Sequence, residues 1–71
     1  MFEVDIKAIK RYIEEAGVKQ KLIAEKSGIG ETKLSLSLQG KRELKAGEYA
    51  NICKSIGVPM NKFLRVKNNA S

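Results

Sequence analysis

The chain has 71 residues, enough for one small domain with a single hydrophobic core. It has no histidine and a single cysteine, Cys53, which excludes an internal disulfide, the common zinc sites and catalytic Cys–His or Ser–His pairs. We therefore predict no metal, no cofactor and no enzymatic activity. Fourteen basic and eight acidic side chains give a net charge of +6, which is typical either of a protein with a polyanionic partner or of a basic solvated surface.

The excess of positive charge lies in the second half of the chain. Residues 46–71 hold four basic side chains and one acidic side chain, whereas residues 1–27 hold six and five. No apolar run approaches the length of a membrane span, and the N-terminus lacks a signal peptide. These features predict a cytoplasmic protein with no membrane partner.

The first predicted helix follows a short lead-in, in which Phe2 is expected to fold back onto the core. Asp5 is a suitable N-cap, and the helix is predicted to run to Ala16 because apolar side chains recur at three- and four-residue steps. These side chains are Ile6, Ile9, Ile13 and Ala16. Gly17 follows as the stop signal.

Two short helices joined by a tight glycine turn are predicted next. The first covers residues 20–27, and Ala24 on its inner face is small enough for a second helix to pack over it. Gly28 can adopt the positive φ that ends a helix, and Ile29 can fill the gap between the helices. The second helix covers residues 31–38. On a small basic domain, such a pair is a known device for placing a helix in the major groove of DNA.

Segment 34–38 also fits a strand, because apolar and polar side chains alternate along it with period two. The Gly40-Lys41 pair after it could then form a hairpin turn. We favour the helix because the chain has no second strand of similar quality, and an isolated hairpin is marginally stable in water. A helix also places Leu34 and Leu38 on one face, where they can meet the helix before.

Two further helices are predicted. The fourth covers residues 46–56, ends at Gly57 and turns four side chains inward, namely Tyr49, Ile52, Cys53 and Ile56. The fifth is short and begins at Pro59, which suits a first helical turn, and its apolar anchors are Met60, Phe63 and Leu64. Residues 65–71 are polar and are expected to fray. The prediction is a single all-α domain over residues 1–71, with five short helices, a core within residues 6–64 and a polar tail.

The order of these elements carries a recognisable pattern. It consists of Gln20-x-x-x-Ala24-x-x-x-Gly28-Ile29, then Leu34-Ser35-x-x-Leu38-x-Gly40-Lys41-Arg42, then Ile56-Gly57-Val58-Pro59-x-x-x-Phe63-Leu64. The pattern resembles the Cro/CI-type helix-turn-helix domain of phage and bacterial repressors, and its middle part is similar to small regulators of phages that infect Gram-positive bacteria. The resemblance implies a lambda-repressor-like fold of five helices, with the helix-turn-helix at residues 20–38, a Cro-like size and a location at the nucleoid of a bacterial host.

The resemblance also implies which residues touch DNA. Those that reach base edges are Glu31, Thr32, Lys33 and Leu36, and those that contact the backbone are Lys19, Gln20, Gln39, Lys41 and Arg42. Lys33 can donate to guanine O6 or N7, and Thr32 can bond a base or pack on a thymine methyl. Glu31 could accept from cytosine N4, or could simply be a first-turn carboxylate favoured by the helix dipole. Leu36 could contact a thymine methyl or the edge of the protein's own core.

Two functions from different classes fit these observations. The first is a sequence-specific transcriptional regulator, a Cro/CI-like phage-type repressor that binds a double-stranded palindromic operator as a homodimer, since one recognition helix covers only a few base pairs. The fourth and fifth helices and the tail are the expected dimer surface. The second is a protein-interaction module of the same fold, an antirepressor or modulator that binds a repressor protein. Three features leave room for it, namely weak caps at Lys19 and Gly30, the apolar Leu36 and the moderate basicity. Separately, the chain departs from the resembled family at Ser37, where many members bury a large apolar side chain.

Overall fold

Four helices and two short strands make up the part of the chain that the computed structural model describes, residues 2–66. In chain order they are β1 (Phe2–Val4), α1 (Ile6–Ala16), α2 (Gln20–Ser27), α3 (Glu31–Leu38), α4 (Ala46–Ile56) and β2 (Leu64–Val66). The bounds of the four helices agree with the predicted ones. None of these helices is both long and apolar enough to span a lipid bilayer.

Local capping explains the ends of α1. The Asp5 carboxylate accepts a hydrogen bond from the Ala8 N–H at 3.1 Å, which satisfies one of the free donors of the first turn. Gly17, at φ +70°, closes the helix with its N–H on a carbonyl of the last turn. Ile9 and Ile13 are buried as predicted. Ala16 was expected to face inward but is exposed, because it lies in the last turn, beyond the buried part of the helix.

Segment 34–38 is helical, as favoured above. The Leu34 N–H donates to the Gly30 carbonyl at 2.9 Å, which begins the helical ladder of α3. Leu34 and Leu38 are both buried, so the helical arrangement places two large apolar side chains in the core. A strand would have directed successive side chains to opposite faces and gained no partner for its edges.

The core lies where the helices of this small domain meet. Within residues 2–66, α2 packs broadly against both α3 and α4, and α1 packs against α3. The buried apolar side chains are Ile9, Ile13, Ile23, Ala24, Ile29, Leu34, Leu38, Tyr49, Ile52, Cys53 and Phe63. Cys53 is a free, fully buried thiol, as expected for a small apolar residue at this position.

The predicted fifth helix does not form, and a turn occupies residues 60–63 instead. The Lys62 N–H donates to the Pro59 carbonyl at 3.1 Å, which is a turn bond over three residues. The Tyr49 hydroxyl donates to the Met60 carbonyl that a helix would need for its own ladder. The same hydroxyl accepts from the Phe63 N–H at 3.4 Å. A side chain from α4 therefore takes up the backbone groups that would have continued a helix.

Of the predicted anchors of that helix, only Phe63 is buried; Met60 and Leu64 are exposed. The Phe63 carbonyl accepts a hydrogen bond from the Asp5 N–H at 2.7 Å. This bond aligns the chain after the turn with the chain before α1. The following residues then pair as a strand. The fold is therefore mostly helical, with four helices and a small sheet where five helices were predicted.

The sheet consists of β1 and β2 in antiparallel pairing, in the register Phe2↔Val66, Glu3↔Arg65 and Val4↔Leu64. Two predictions are therefore wrong in part. Phe2 belongs to a strand and is 67% exposed, so it does not fold back onto the core. Arg65 and Val66, assigned to a fraying tail, belong to β2, where Arg65 pairs with Glu3 at 2.9 Å. The remainder of the predicted tail, 67–71, lies outside the described residues.

Candidate nucleic-acid interface

The unit formed by α2, its turn and α3 has the geometry that the sequence predicted. Gly28, at φ +76°, ends α2 with its N–H on the Ala24 carbonyl at 3.1 Å. Ile29 is buried in the turn between the two helices. The Ser27 hydroxyl is buried and donates to the Ile23 carbonyl at 2.7 Å, so it leaves no polar group unsatisfied under the turn. These contacts fix the orientation of α3 relative to α2.

One face of α3 is exposed along its whole length. The four predicted base-reading residues, Glu31, Thr32, Lys33 and Leu36, are all exposed. Thr32 and Leu36 lie one turn apart on the outer side of the helix, and Glu31 and Lys33 lie at its two edges in the first turn. Leu34, Ser37 and Leu38 on the other face are buried. The structure therefore exposes all four side chains, with Glu31, Thr32 and Leu36 along one groove and Lys33 at the other edge of the exposed side.

Leu36 is 37% exposed, so part of its side chain is accessible on the outer side of α3 while the rest is covered by the protein. It lines a shallow groove of about 310 Å³ together with Glu31, Thr32 and Ser35. The groove thus combines a carboxylate, two hydroxyls and one apolar side chain. Lys33, the only cation among residues 31–38, is exposed but does not line this groove.

Lys19 and Gln20 lie at the N-terminal end of α2, where the prediction placed a phosphate contact. Lys19 is the N-cap residue and makes no side-chain cap to the helix. Its side chain is exposed, and that of Gln20 is half-buried. The first N–H groups of a helix and its dipole favour an anion, so this end of α2 has the polarity that a phosphate requires.

The segment after α3 turns sharply and presents Lys41. The Gly40 N–H donates to the Ser37 carbonyl at 3.1 Å, and the Lys41 N–H donates to the Leu36 carbonyl at 2.9 Å. Gly40 has φ +77°, so the end of α3 is a complete Schellman motif. Gln39 is exposed and its amide donates to the Ser35 hydroxyl at 3.0 Å. Lys41 is exposed directly beyond the end of the helix.

Arg42 differs from the other predicted backbone contacts, because its guanidinium binds within the protein. Its Nη1 and Nη2 donate to the two carboxylate oxygens of Glu48, each at 2.9 Å. Nη1 also lies 3.2 Å from the Ser37 hydroxyl and 3.3 Å from the Glu43 carbonyl. The side chains of Arg42 and Glu48 are only 24% and 23% exposed. This is a bidentate, partly buried ion pair.

Glu48 is held by a second donor at the start of α4. The Lys45 N–H donates to its carboxylate at 3.0 Å, which is the side-chain half of a capping box. The hydrogen bond from Arg42, and then that from Lys45, lower the pKa of Glu48 from 4.5 to about 2. Glu48 in turn raises the pKa of Arg42 through the same hydrogen bond. Both groups are therefore ionised throughout the physiological range.

Sequence reasoning missed the parts that Ser37 and Glu48 play. Each had a local signal: Ser37 is polar where the resembled family often buries an apolar side chain, and Glu48 stands at the third position of a helix, where capping boxes have their acid. Neither signal shows that Arg42 joins them. Among residues 2–66, no group of three or more Cys, Asp or Glu side chains could hold a metal ion.

Comparison of the chain with family models, with curated proteins and with solved structures gives no match in any of the three. The function of this surface is therefore inferred from its geometry and from the sequence pattern.

Proposed function

We propose that the chain is a sequence-specific DNA-binding transcriptional regulator, a Cro/CI-like repressor of phage type that inserts α3 into the major groove. The observation that carries this proposal is that Glu31, Thr32, Lys33 and Leu36 are all exposed on α3, while Leu34, Ser37 and Leu38 anchor the other side of the helix in the core. An α-helix fits the major groove of B-DNA, which is about 12 Å wide. In this proposal the domain is lambda-repressor-like, with the β1–β2 pair where the resembled family has a fifth helix.

Each exposed side chain of α3 suits a particular base edge. Lys33 donates to O6 or N7 of guanine, and the Glu31 carboxylate accepts from N4 of cytosine. Thr32 bonds a base or packs on a thymine methyl, and Leu36, on the same face, supplies apolar contact to a second methyl. The half-site should therefore contain both a G·C pair and at least one thymine.

The phosphate contacts lie at both ends of the unit. Lys19, Gln20 and the free N–H groups of α2 bind one strand, and Gln39 and Lys41 bind the backbone beyond the other end of α3. These contacts set the register of α3 in the groove and carry no sequence information themselves.

One such helix covers only a few base pairs, so we propose that the protein binds as a homodimer to two half-sites about 34–36 Å apart. The predicted dimer surface comprised the fourth and fifth helices and the tail. It has to be revised, because a turn and β2 follow α4 instead of a fifth helix. Phe2 and Val66, directly opposite each other in the sheet, are 67% and 69% exposed, and Leu64 and Met60 add apolar surface nearby in the chain. Apolar exposure of this kind is typical of an association surface.

The test is selection of binding sites from a random pool of DNA duplexes, followed by footprinting on the DNA beside the protein's own gene. We expect a symmetric, paired protection and a selected half-site that changes in Lys33→Ala. Lys41→Ala should weaken binding to all duplexes alike and reduce the salt dependence. Lys54→Ala is the matched control, because this exposed lysine lies beside the C-terminal end of α2, away from Lys19. Equal affinity for selected and random duplexes at physiological salt would refute specific recognition.

A second candidate function is a protein-interaction module that binds a repressor protein. The observation that favours it is Leu36, because an exposed leucine on a recognition face can bury itself equally well against a protein. A chain that never retards DNA, yet co-elutes with a repressor domain in a manner abolished by Leu36→Asp, would support this alternative.

A further inference from the structure

We infer that Arg42 is a positioning residue, which joins the end of α3 to the start of α4 and holds the DNA-facing surface in place without binding a phosphate itself. This inference rests on the proposed function. Arg42 bridges the buried Ser37 hydroxyl in the last turn of α3 and the Glu48 carboxylate in the first turn of α4. Its neighbour Lys41, exposed beyond the Schellman turn, keeps the role of phosphate contact.

The packing of the helices explains why such a link matters. The broad contacts within residues 2–66 are those of α2 with α3 and α4, and of α1 with α3. The α3 and α4 helices do not pack broadly on each other, and Arg42 spans the space between their ends. Because α3 has only eight residues, a small tilt at its last turn displaces Leu36 and Lys41 relative to DNA.

The local chemistry argues against a phosphate role. Turning the guanidinium toward DNA would separate it from a partly covered carboxylate and would remove a donor from the fully buried Ser37. A buried hydroxyl left without its hydrogen-bond partner is costly. The positive charge of Arg42 is also balanced by Glu48 where it stands, so it adds little attraction to a polyanion.

The two roles predict opposite effects of Glu48→Gln. If Arg42 bound a phosphate, this change would release its guanidinium and remove a negative charge near DNA, and affinity would rise. If Arg42 positions α3, the change breaks the link, and affinity falls although the protein becomes more positive. Arg42→Lys separates the roles in a second way, because lysine keeps the charge but lacks the planar fork that binds a carboxylate with two donors.

The experiment measures binding to a selected duplex by fluorescence anisotropy over a series of salt concentrations. For Glu48→Gln and Arg42→Lys we expect roughly a tenfold loss of affinity, the scale of a lost charged hydrogen bond, with an unchanged salt slope. Lys41→Ala provides the comparison, since a lost phosphate contact should reduce the slope by about 0.9. A rise in affinity in Glu48→Gln, or wild-type affinity in Arg42→Lys, would overturn the positioning role.

Amide hydrogen exchange tests the link without DNA. The N–H groups of Gly40 and Lys41 should exchange faster in both variants, because their hydrogen bonds to α3 depend on the held end of the helix. Gly17 and Val18 are matched controls, since they form the same pair of bonds at the end of α1 with no arginine link. Unchanged exchange at Gly40 and Lys41 would overturn the inference. If the wild-type chain binds no duplex, the proposed function fails, and this measurement still decides whether Arg42 holds α3.

Discussion

Tyr49→Phe tests whether one hydroxyl from α4 organises the chain between α4 and β2. The Tyr49 side chain is buried, and its hydroxyl donates to the Met60 carbonyl and accepts from the Phe63 N–H at 3.4 Å. A typical hydrogen bond contributes about 1 kcal/mol to stability, and the second of these is long, so we expect a loss of about 1–2 kcal/mol. For a domain of this size, that corresponds to a fall in melting temperature of about 5–10 °C.

Thermal unfolding followed by circular dichroism measures this loss. Tyr12→Phe is the matched control, because the Tyr12 ring packs edge-on against Phe63, with 5.7 Å between ring centroids, and its hydroxyl makes no hydrogen bond within residues 2–66. We expect the free energy of unfolding of Tyr12→Phe to lie within about 0.5 kcal/mol of the wild-type value, as is usual for substitutions that remove no buried contact. Equal melting temperatures of the two variants would refute the role assigned to the Tyr49 hydroxyl.

The pH profile gives an independent check on the same residue. Burial is the main reason that the pKa of Tyr49 is raised from 10.0 to about 12. In the unfolded chain the hydroxyl ionises at the lower value, so the unfolded state is favoured once the pH exceeds it. The contribution of Tyr49 is therefore complete below pH 10 and is lost between pH 10 and 12. Tyr49→Phe should lack this part of the alkaline decline; an identical decline in both proteins would contradict the reasoning.

Three further predictions concern stability alone. Gly28→Ala should destabilise the protein by about 1–2 kcal/mol, because Gly28 has a positive φ. Gly47→Ala should stabilise it by roughly 0.5–1 kcal/mol, because Gly47 lies within α4 and has open space for a methyl group. Urea unfolding measures both changes. Glu48→Gln should be less stable than the wild type above pH 4.5, and this difference should vanish as the pH falls to about 2, because protonation of Glu48 removes its advantage. Glu3→Gln, which breaks the exposed pair with Arg65, should change stability by less than about 1 kcal/mol in the same assay.

The four helices were predictable because each is specified mainly by its own residues. Asp5 caps α1 through a bond three residues away, and Gly17, Gly28 and Gly57 end their helices in the left-handed conformation that glycine adopts at little cost. The spacing of Leu34 and Leu38 also identified the buried side of α3, and with it the exposed side. The exposed side of α3, on which the proposed function rests, therefore followed from local pattern.

The chain after α4 was not predictable in this way. Pro59 and the apolar residues that follow it fit a helix locally, and a helix was expected. The competing partners come from distant positions: Tyr49 in α4 binds the turn, and Asp5 before α1 binds the Phe63 carbonyl. Three-residue strands with little alternation then pair only because those bonds bring them side by side. No local propensity contains that information.

Lys41 and Arg42 show the same limit within the candidate site. They are adjacent, equally charged and equally suited to a phosphate when read as sequence. The Schellman turn leaves Lys41 in solvent, whereas Arg42 meets a carboxylate six residues later, across an element boundary. The charge of a residue can be read from the sequence, but whether that charge is available to a ligand depends on what the fold places beside it. A basic segment next to a recognition helix should therefore be divided into free and paired cations before it is counted as a phosphate-binding surface.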